Sequence, residues 1–257
     1  MIDYLIEITA FLFGLIVGSF LNVCIYRIPV SQSIVFPGST CPRCKTSIPF
    51  YDNIPVLSWI ALGGKCRNCR AAISARYPLV ELLGGCAALS TVMVYGINYD
   101  TLIYFIFITA LLTITFIDID HRIIPDSISL PGIPLGFLAS FILADLTYRE
   151  SLLGILVGGG SLLVVAYGYQ LLTGRAGMGG GDIKLLGMIG AFIGWKGVLF
   201  TIFASSALGT LAGIVAMIRT RKGMKLAVPF GPFLSIAAVL YLFFGTDIID
   251  WYFNFLK

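Results

Sequence analysis

Long apolar runs constrain this chain more than any other feature. Tyr4 to Tyr26 form the first, long enough to cross a hydrocarbon layer of about 30 Å at about 1.5 Å per helical residue. Similar runs return at about 79–97, 100–117, 127–144, 151–173, 183–194, 197–218 and 226–246. Only 12% of the residues are charged and 58% are hydrophobic, whereas a soluble domain carries roughly a quarter charged residues to cover its surface. A disordered chain, a disulfide scaffold and a conventional soluble enzyme are therefore excluded, and an all-α polytopic membrane protein is expected. The net charge of +4 is too small for a nucleic-acid binder. Asp3 precedes the first run and Glu7 interrupts it, so it reads as a retained span rather than a removed signal peptide.

The expected count is eight transmembrane helices, with six or seven as alternatives. Leu185 to Ile218 holds only Lys196 as a charge; as one helix it would be about 50 Å long, too long for a single crossing. Two segments hinged at Gly194, Trp195 and Gly197 fit better, although 183–194 is short and could be re-entrant.

Residues 28–78 break the apolar pattern. They carry Arg43, Lys45, Lys65, Arg67, Arg70 and Arg76 against the single acid Asp52, and four of the six cysteines. This is a small aqueous domain between the first and second spans. With the N-terminus outside and eight crossings, these cations share one face with Arg27, Arg122, Arg175, Lys184, Arg219, Arg221, Lys222 and Lys225. Only Arg149, Lys196 and Lys257 remain on the other face. That bias makes the first face cytosolic.

Cys41-Pro-Arg-Cys44 and Cys66-Arg-Asn-Cys69 are two CxxC knuckles at zinc-ribbon spacing. Each brings two thiolates to one side of a tight turn, and the adjacent cations offset the charge of a four-thiolate shell. A closed shell leaves no position for water, so the zinc would be structural. Cys24 and Cys86 lie in apolar runs and read as buried small hydrophobes.

Ionisable groups at the ends of spans are costly and suggest function. Asp118 closes the third run within Thr115-Phe-Ile-Asp-Ile-Asp-His-Arg-Ile-Ile-Pro-Asp126, and Asp182 ends the glycine tract of Gly177-Met-Gly-Gly-Gly-Asp-Ile-Lys184. Two carboxylates from different helices suit aspartic-protease chemistry: the pair shares one proton, one member activating water while the other protonates a carbonyl. Glycines before Asp182 let backbone approach an extended substrate. The alternative is that Asp118 is a solvated helix end and Asp182 an N-cap. Asp120 sits beside Arg122 in a polar loop, Asp126 is a plausible cap for the fourth span, His121 is the only histidine, and Lys184 is an interfacial cation or an electrostatic partner.

These pieces together resemble the bacterial type IV prepilin peptidases, or leader peptidase/N-methyltransferases, over nearly the whole chain. The resemblance rests on Gly18-Ser-Phe-Leu-Asn-Val-Cys-Ile-Tyr-Arg-Ile-Pro29, the CxxC pairs around Pro49-Phe-Tyr-Asp-Asn-Ile-Pro55, Arg76-Tyr-Pro-Leu-Val-Glu-Leu82, the two aspartate motifs and Pro229-Phe-Gly-Pro-Phe233. It implies that Asp118 and Asp182 are the catalytic pair, the latter in a GxGD signature shared with presenilin-like proteases. It also implies cleavage of the basic leader of prepilins or type II secretion pseudopilins, after a Gly, at the cytosolic face of the bacterial inner membrane. S-adenosylmethionine-dependent N-methylation of the new N-terminus is implied by the resemblance alone, since no Rossmann-type glycine fingerprint is present.

Asn22 and Glu81 are candidates for holding the methyl donor or the amine, or else an interhelical hydrogen bond and an interfacial acid. Gly179, Gly180, Gly181, Asp120, Asp126 and Lys184 are candidates for meeting the substrate, with the acids forming a mouth for a basic leader. The expected division is 1–27 as first span, 28–78 as the four-cysteine zinc domain with the methyltransferase role, and 79–257 as peptidase domain. A proton- or ion-coupled transporter using the same aspartates is the alternative from a different class.

Overall fold

The computed structural model describes residues 2–174, 179–220 and 229–255. Arg175, Arg221, Lys222, Lys225 and Lys257, counted above for orientation, lie outside the described residues, as do Gly177 and Met178. Among the described residues the only extended pairing is a pair of isolated bridges in the cysteine segment. The chain divides into two compact units, Met1–Thr113 and Ile114–Lys257.

In the first unit, α1 (Ile2–Arg27) runs through the whole first apolar stretch and ends on Arg27, two residues before Pro29. The cysteine segment follows, with the short helix α2 (Leu57–Ala61) inside it. Next comes α3 (Arg76–Tyr95), whose Pro78 lies in the first turn, where a missing N–H costs nothing. It packs along α1. Gly96, at φ 71°, closes α3 through its N–H to the Val92 carbonyl. Cys24 is buried as expected, but Cys86 is exposed: it occupies an outward face of α3, where lipid can replace protein as apolar surroundings.

Helix α4 (Tyr99–His121) begins in the first unit and ends in the second. It continues past the apolar run, so Asp120 lies in a helical last turn and not in a loop. The second unit adds α5 (Asp126–Ala139), α6 (Tyr148–Thr173), α7 (Gly180–Thr220) and α8 (Gly231–Phe255). Thr147 and Glu150 form a reciprocal capping box at the start of α6.

The hinge expected near Gly194 is present. Gly194 has φ 69° and ψ 178°, a conformation open to glycine alone. The arms on either side fold back on each other: a Cβ added to Gly190 would come within 2.9 Å of the Val198 side chain. The first arm, 180–193, is too short to cross a bilayer, at about 20 Å. It lies at the centre of its unit, between α5, α6 and the second arm. Leu185, Leu186, Met188 and Ile189 are fully buried, as expected for a helix surrounded on all sides by others.

Each of the eight apolar runs thus holds a helix among the described residues, although the run at 127–144 stops being helical at Ala139. Among the described residues five helices, with α7 counted as one, are long and apolar enough to cross a membrane. The fold is all-α and polytopic, with a small cysteine-rich segment between the first two long helices.

Candidate active site

At one end of the second unit, three helix ends and a connection converge. Asp118, in the last turn of α4, is only 5% exposed. Its Oδ2 accepts the Gly231 N–H at 3.0 Å, at the start of α8. A Cβ at position 231 would stand 2.7 Å from that oxygen, so the contact needs glycine. Asp182, in the first turn of α7, is half-buried and within electrostatic range of Asp118. The connection between α4 and α5 presses Ile124 against Gly181.

Lys184, one turn into α7, donates to both oxygens of Asp126 at 2.7 and 2.8 Å. Asp126 stands at the first helical position of α5, behind Pro125, and makes this ion pair instead of capping the helix. Asp182 is likewise inside α7, not its cap. Asp120 and His121 are exposed at the end of α4. Gly180 has no atom near the place a Cβ would take, whereas Gly181 is packed. The open part of the glycine tract is therefore the part before Gly181. An acid pair with one member deeply held and the other half-open, beside uncovered backbone, can receive an extended peptide and deliver water to it.

The first unit holds a second cluster. The two knuckles repeat one geometry: the Cys41 N–H donates to the Thr46 carbonyl and the Lys45 N–H to the Cys41 carbonyl, while the Cys66 N–H donates to the Ala71 carbonyl and the Arg70 N–H to the Cys66 carbonyl. Lys45 and Arg70 both have φ 58°. The four Sγ atoms lie within 4.8 Å of one another, with Cys41 and Cys69 3.8 Å apart and Cys44 and Cys66 4.0 Å apart. A tetrahedron with metal–sulfur bonds of about 2.3 Å has edges of about 3.8 Å, so the donor set fits zinc.

Hydrogen bonds from Thr46 and Asn68 lower the Cys44 thiol to about 5. Despite the Ala71 amide, Cys69 is pushed up to about 11 by desolvation and by the Cys44, Cys66 and Cys41 sulfurs. Such a cluster resists full ionisation until a cation enters it. Asp52 takes a bidentate pair from Arg67 at 2.6 and 2.7 Å, which lowers its carboxyl below the usual value.

Beside this cluster is a cavity of about 960 Å³ bordered by Asn22, Tyr26, Trp59, Tyr77 and Glu81. Asn22 donates to the Tyr77 carbonyl at 3.1 Å, joining α1 to α3. Glu81 is 8% exposed and accepts the Val56 N–H at 2.7 Å. The sequence reading misses Val56 and gives Gly231 no role of its own. The Val56 contact spans 25 positions and leaves no local signal; Gly231 stands in the Pro229–Phe233 motif that carries part of the resemblance, and its Gly-Pro step at the start of an apolar run marks a helix entry without pointing to Asp118.

Residues 12–95 match the bacterial peptidase A24 N-terminal domain, and residues 105–214 match the type IV leader peptidase family. A protein of Aeromonas salmonicida named prepilin leader peptidase/N-methyltransferase is 36% identical, covering 94% of this chain and 92% of that one. Proteins of the same name from Pseudomonas aeruginosa and Pseudomonas putida are each 37% identical, over 95% and 91% of this chain and 92% and 89% of theirs. The chain belongs to the type IV leader peptidase family. No solved structure matches it.

In this leader peptidase the expected residues fall into two sets. Asp118, Asp182, Gly181, Asp126 and Lys184 meet in the second unit. Asn22, Glu81 and the four cysteines belong to the first.

Proposed function

We propose that the chain is a membrane-embedded aspartic endopeptidase that cuts the basic leader from type IV prepilins or type II secretion pseudopilins, after Gly, at the cytosolic face of the bacterial inner membrane. It then N-methylates the new terminus. The observation that carries the peptidase reading is the Gly231 N–H on Asp118, which holds one oxygen of a buried carboxyl and leaves the other for water.

In this reading Asp118 and Asp182 share one proton. The ionised member takes a proton from water as its oxygen attacks the scissile carbonyl carbon, and the protonated member gives its proton to the carbonyl oxygen. The diol then gives one hydroxyl proton to the ionised member as its C=O re-forms, the C–N bond breaks, and the departing amine takes the proton of the other member, which leaves the pair with one proton again. An extended leader lies along Gly179 and Gly180, where backbone is uncovered. Asp120 and Asp126 draw basic side chains, although Lys184 already offsets Asp126.

The aromatic-lined cavity suits a nucleoside and an amine, being within the size range of small-molecule sites. S-adenosylmethionine, when bound, supplies a sulfonium-activated methyl group. Glu81 would hold the ammonium form of the new N-terminus and take its proton, and Asn22 would orient the donor. Zinc on Cys41, Cys44, Cys66 and Cys69 would keep the walls of this cavity folded.

The test is cleavage of a prepilin-type peptide by the purified protein in vesicles. Asp118→Asn and Asp182→Asn should each lose activity by about 10³-fold or more, while methylation of an already cleaved peptide persists. Wild-type cleavage by either variant sinks the dyad. Unlabelled product after incubation with methyl-labelled S-adenosylmethionine sinks the second activity.

A further inference from the structure

The cysteine segment does not stand wholly in water. Glu81 lies five residues inside the start of α3, about 7.5 Å along the helix axis. It also lies against Gly18 of α1, nine residues before Arg27, where an added Cβ would be 2.6 Å from the Glu81 Cα. Glu81 is therefore within the membrane-crossing part of both helices. Yet its carboxylate holds the Val56 N–H at 2.7 Å, and Val56 immediately precedes α2.

The backbone is forced into this position. Val56 has φ 61° and ψ −51°, and the Leu57 N–H donates to the Pro55 carbonyl at 2.6 Å. That is a γ-turn, a rare conformation for a β-branched residue. Ser58 then ties the turn together, accepting from the Ile54 N–H and donating to the Tyr51 carbonyl.

The side chains α2 presents outward are apolar: Leu57 is 66% exposed and Ile60 63%, whereas Ile54 borders the cavity. Leu57 and Ile60, three apart, share one face of α2. Leu79 and Leu82, close to Glu81 in α3, are exposed as well, so the helix that anchors the turn also carries outward apolar side chains near the anchor.

We propose that α2 is an interfacial lipid-binding element, with Leu57 and Ile60 inserted among the acyl chains of the cytosolic leaflet. Its occupant is the bilayer itself, because the carboxylate that anchors the turn lies inside the apolar length of both α1 and α3. Short amphipathic elements insert in this way, burying one apolar face to a depth of about 5–10 Å. The turn anchors the cysteine segment to the leaflet at a point separate from its two chain connections. This reading is independent of the proposed chemistry.

The experiment places the photoreactive residue benzoylphenylalanine singly at Leu57 or Ile60 in the full chain, reconstituted in phospholipid vesicles without substrate. Adducts are read by mass spectrometry. Ile16, exposed in the middle of α1, and Arg43, exposed between Cys41 and Cys44, serve as lipid-facing and water-facing references. Lipid adducts at Leu57 and Ile60 within about threefold of the Ile16 yield are expected. Yields at the Arg43 level would overturn the proposal. So would replacement of the lipid adducts by peptide adducts when a prepilin-type peptide is added, since the face would then be a substrate groove. Leu57 and Ile60 are both outward-facing and outside the cavity lining, so the label removes no internal packing.

Discussion

Gly231→Ala tests whether the backbone amide of α8 sets the geometry of the acid pair. The added methyl would stand 2.7 Å from Asp118 Oδ2 and 3.3 Å from its Cγ. Ordinary contact needs about 3.5 Å, so the carboxyl must shift by about 0.8 Å or α8 must withdraw. Either movement breaks the 3.0 Å bond from the Gly231 N–H. A hydrogen bond to a charged group contributes about 1.5–3 kcal/mol, and each 1.36 kcal/mol on the barrier is tenfold, so kcat should fall by about 10- to 150-fold. KM should change little, because no leader contact is removed.

Alanine is the better helix former by up to about 1 kcal/mol, which offsets part of the steric cost, so the variant should still fold. The assay is steady-state cleavage of a prepilin-type peptide in vesicles, with methylation of a cleaved peptide as the internal control for integrity. Gly213→Ala, where nothing lies within 4 Å of the new Cβ, is the matched control on α7. If Gly231→Ala kept wild-type kcat while Asp118→Asn was inactive, the amide would have no part in positioning the dyad.

The ion pair between Lys184 and Asp126 is exposed and so contributes little to stability. Lys184→Gln should free the Asp126 charge and lower KM for basic leaders by about two- to fivefold, with Asp126→Asn moving KM the other way; equal KM values across leaders of different charge would refute the acidic mouth. The purified chain should carry one zinc by elemental analysis, and Cys41→Ser should lose it and expose the 39–73 segment to protease. Metal binding needs the thiols deprotonated, so protons compete with the metal and release it as pH falls. Cobalt-substituted protein should show a thiolate-to-cobalt charge-transfer band at neutral pH that acid removes, and absence of the band at neutral pH would exclude this donor set. Glu81→Gln keeps an acceptor for the Val56 N–H but removes the charge, so it should spare cleavage and reduce methylation by about tenfold or more; unchanged methylation would remove Glu81 from that reaction.

What could be read from the chain divides by the distance over which each signal acts. Apolar length located all the long helices, and the excess length of 183–218 forced a break that the structure puts at Gly194. Asp118 stood out because a carboxylate closing an apolar run is costly wherever the helix packs. The CxxC spacing carried the metal site because each knuckle is local, closed by its own hydrogen bonds.

The errors and omissions are non-local. Asp126 follows Pro125 and precedes Ser127 like a cap, yet Pro125 takes the cap position, which puts Asp126 inside the helix, and a lysine 58 positions away pairs with it. Gly231 acquires its role from Asp118, 113 positions earlier. Neither partner carries a periodicity or spacing that points to the other. Glu81 and Val56 go further: the strained γ-turn that joins them has no turn-forming residue at its centre, so local preference argues against the conformation that forms. A buried carboxylate left without the Val56 N–H would keep the Ser19 side chain as a partner but lose a backbone donor at 2.7 Å. The requirement belongs to Glu81, and the strain it overcomes is at Val56.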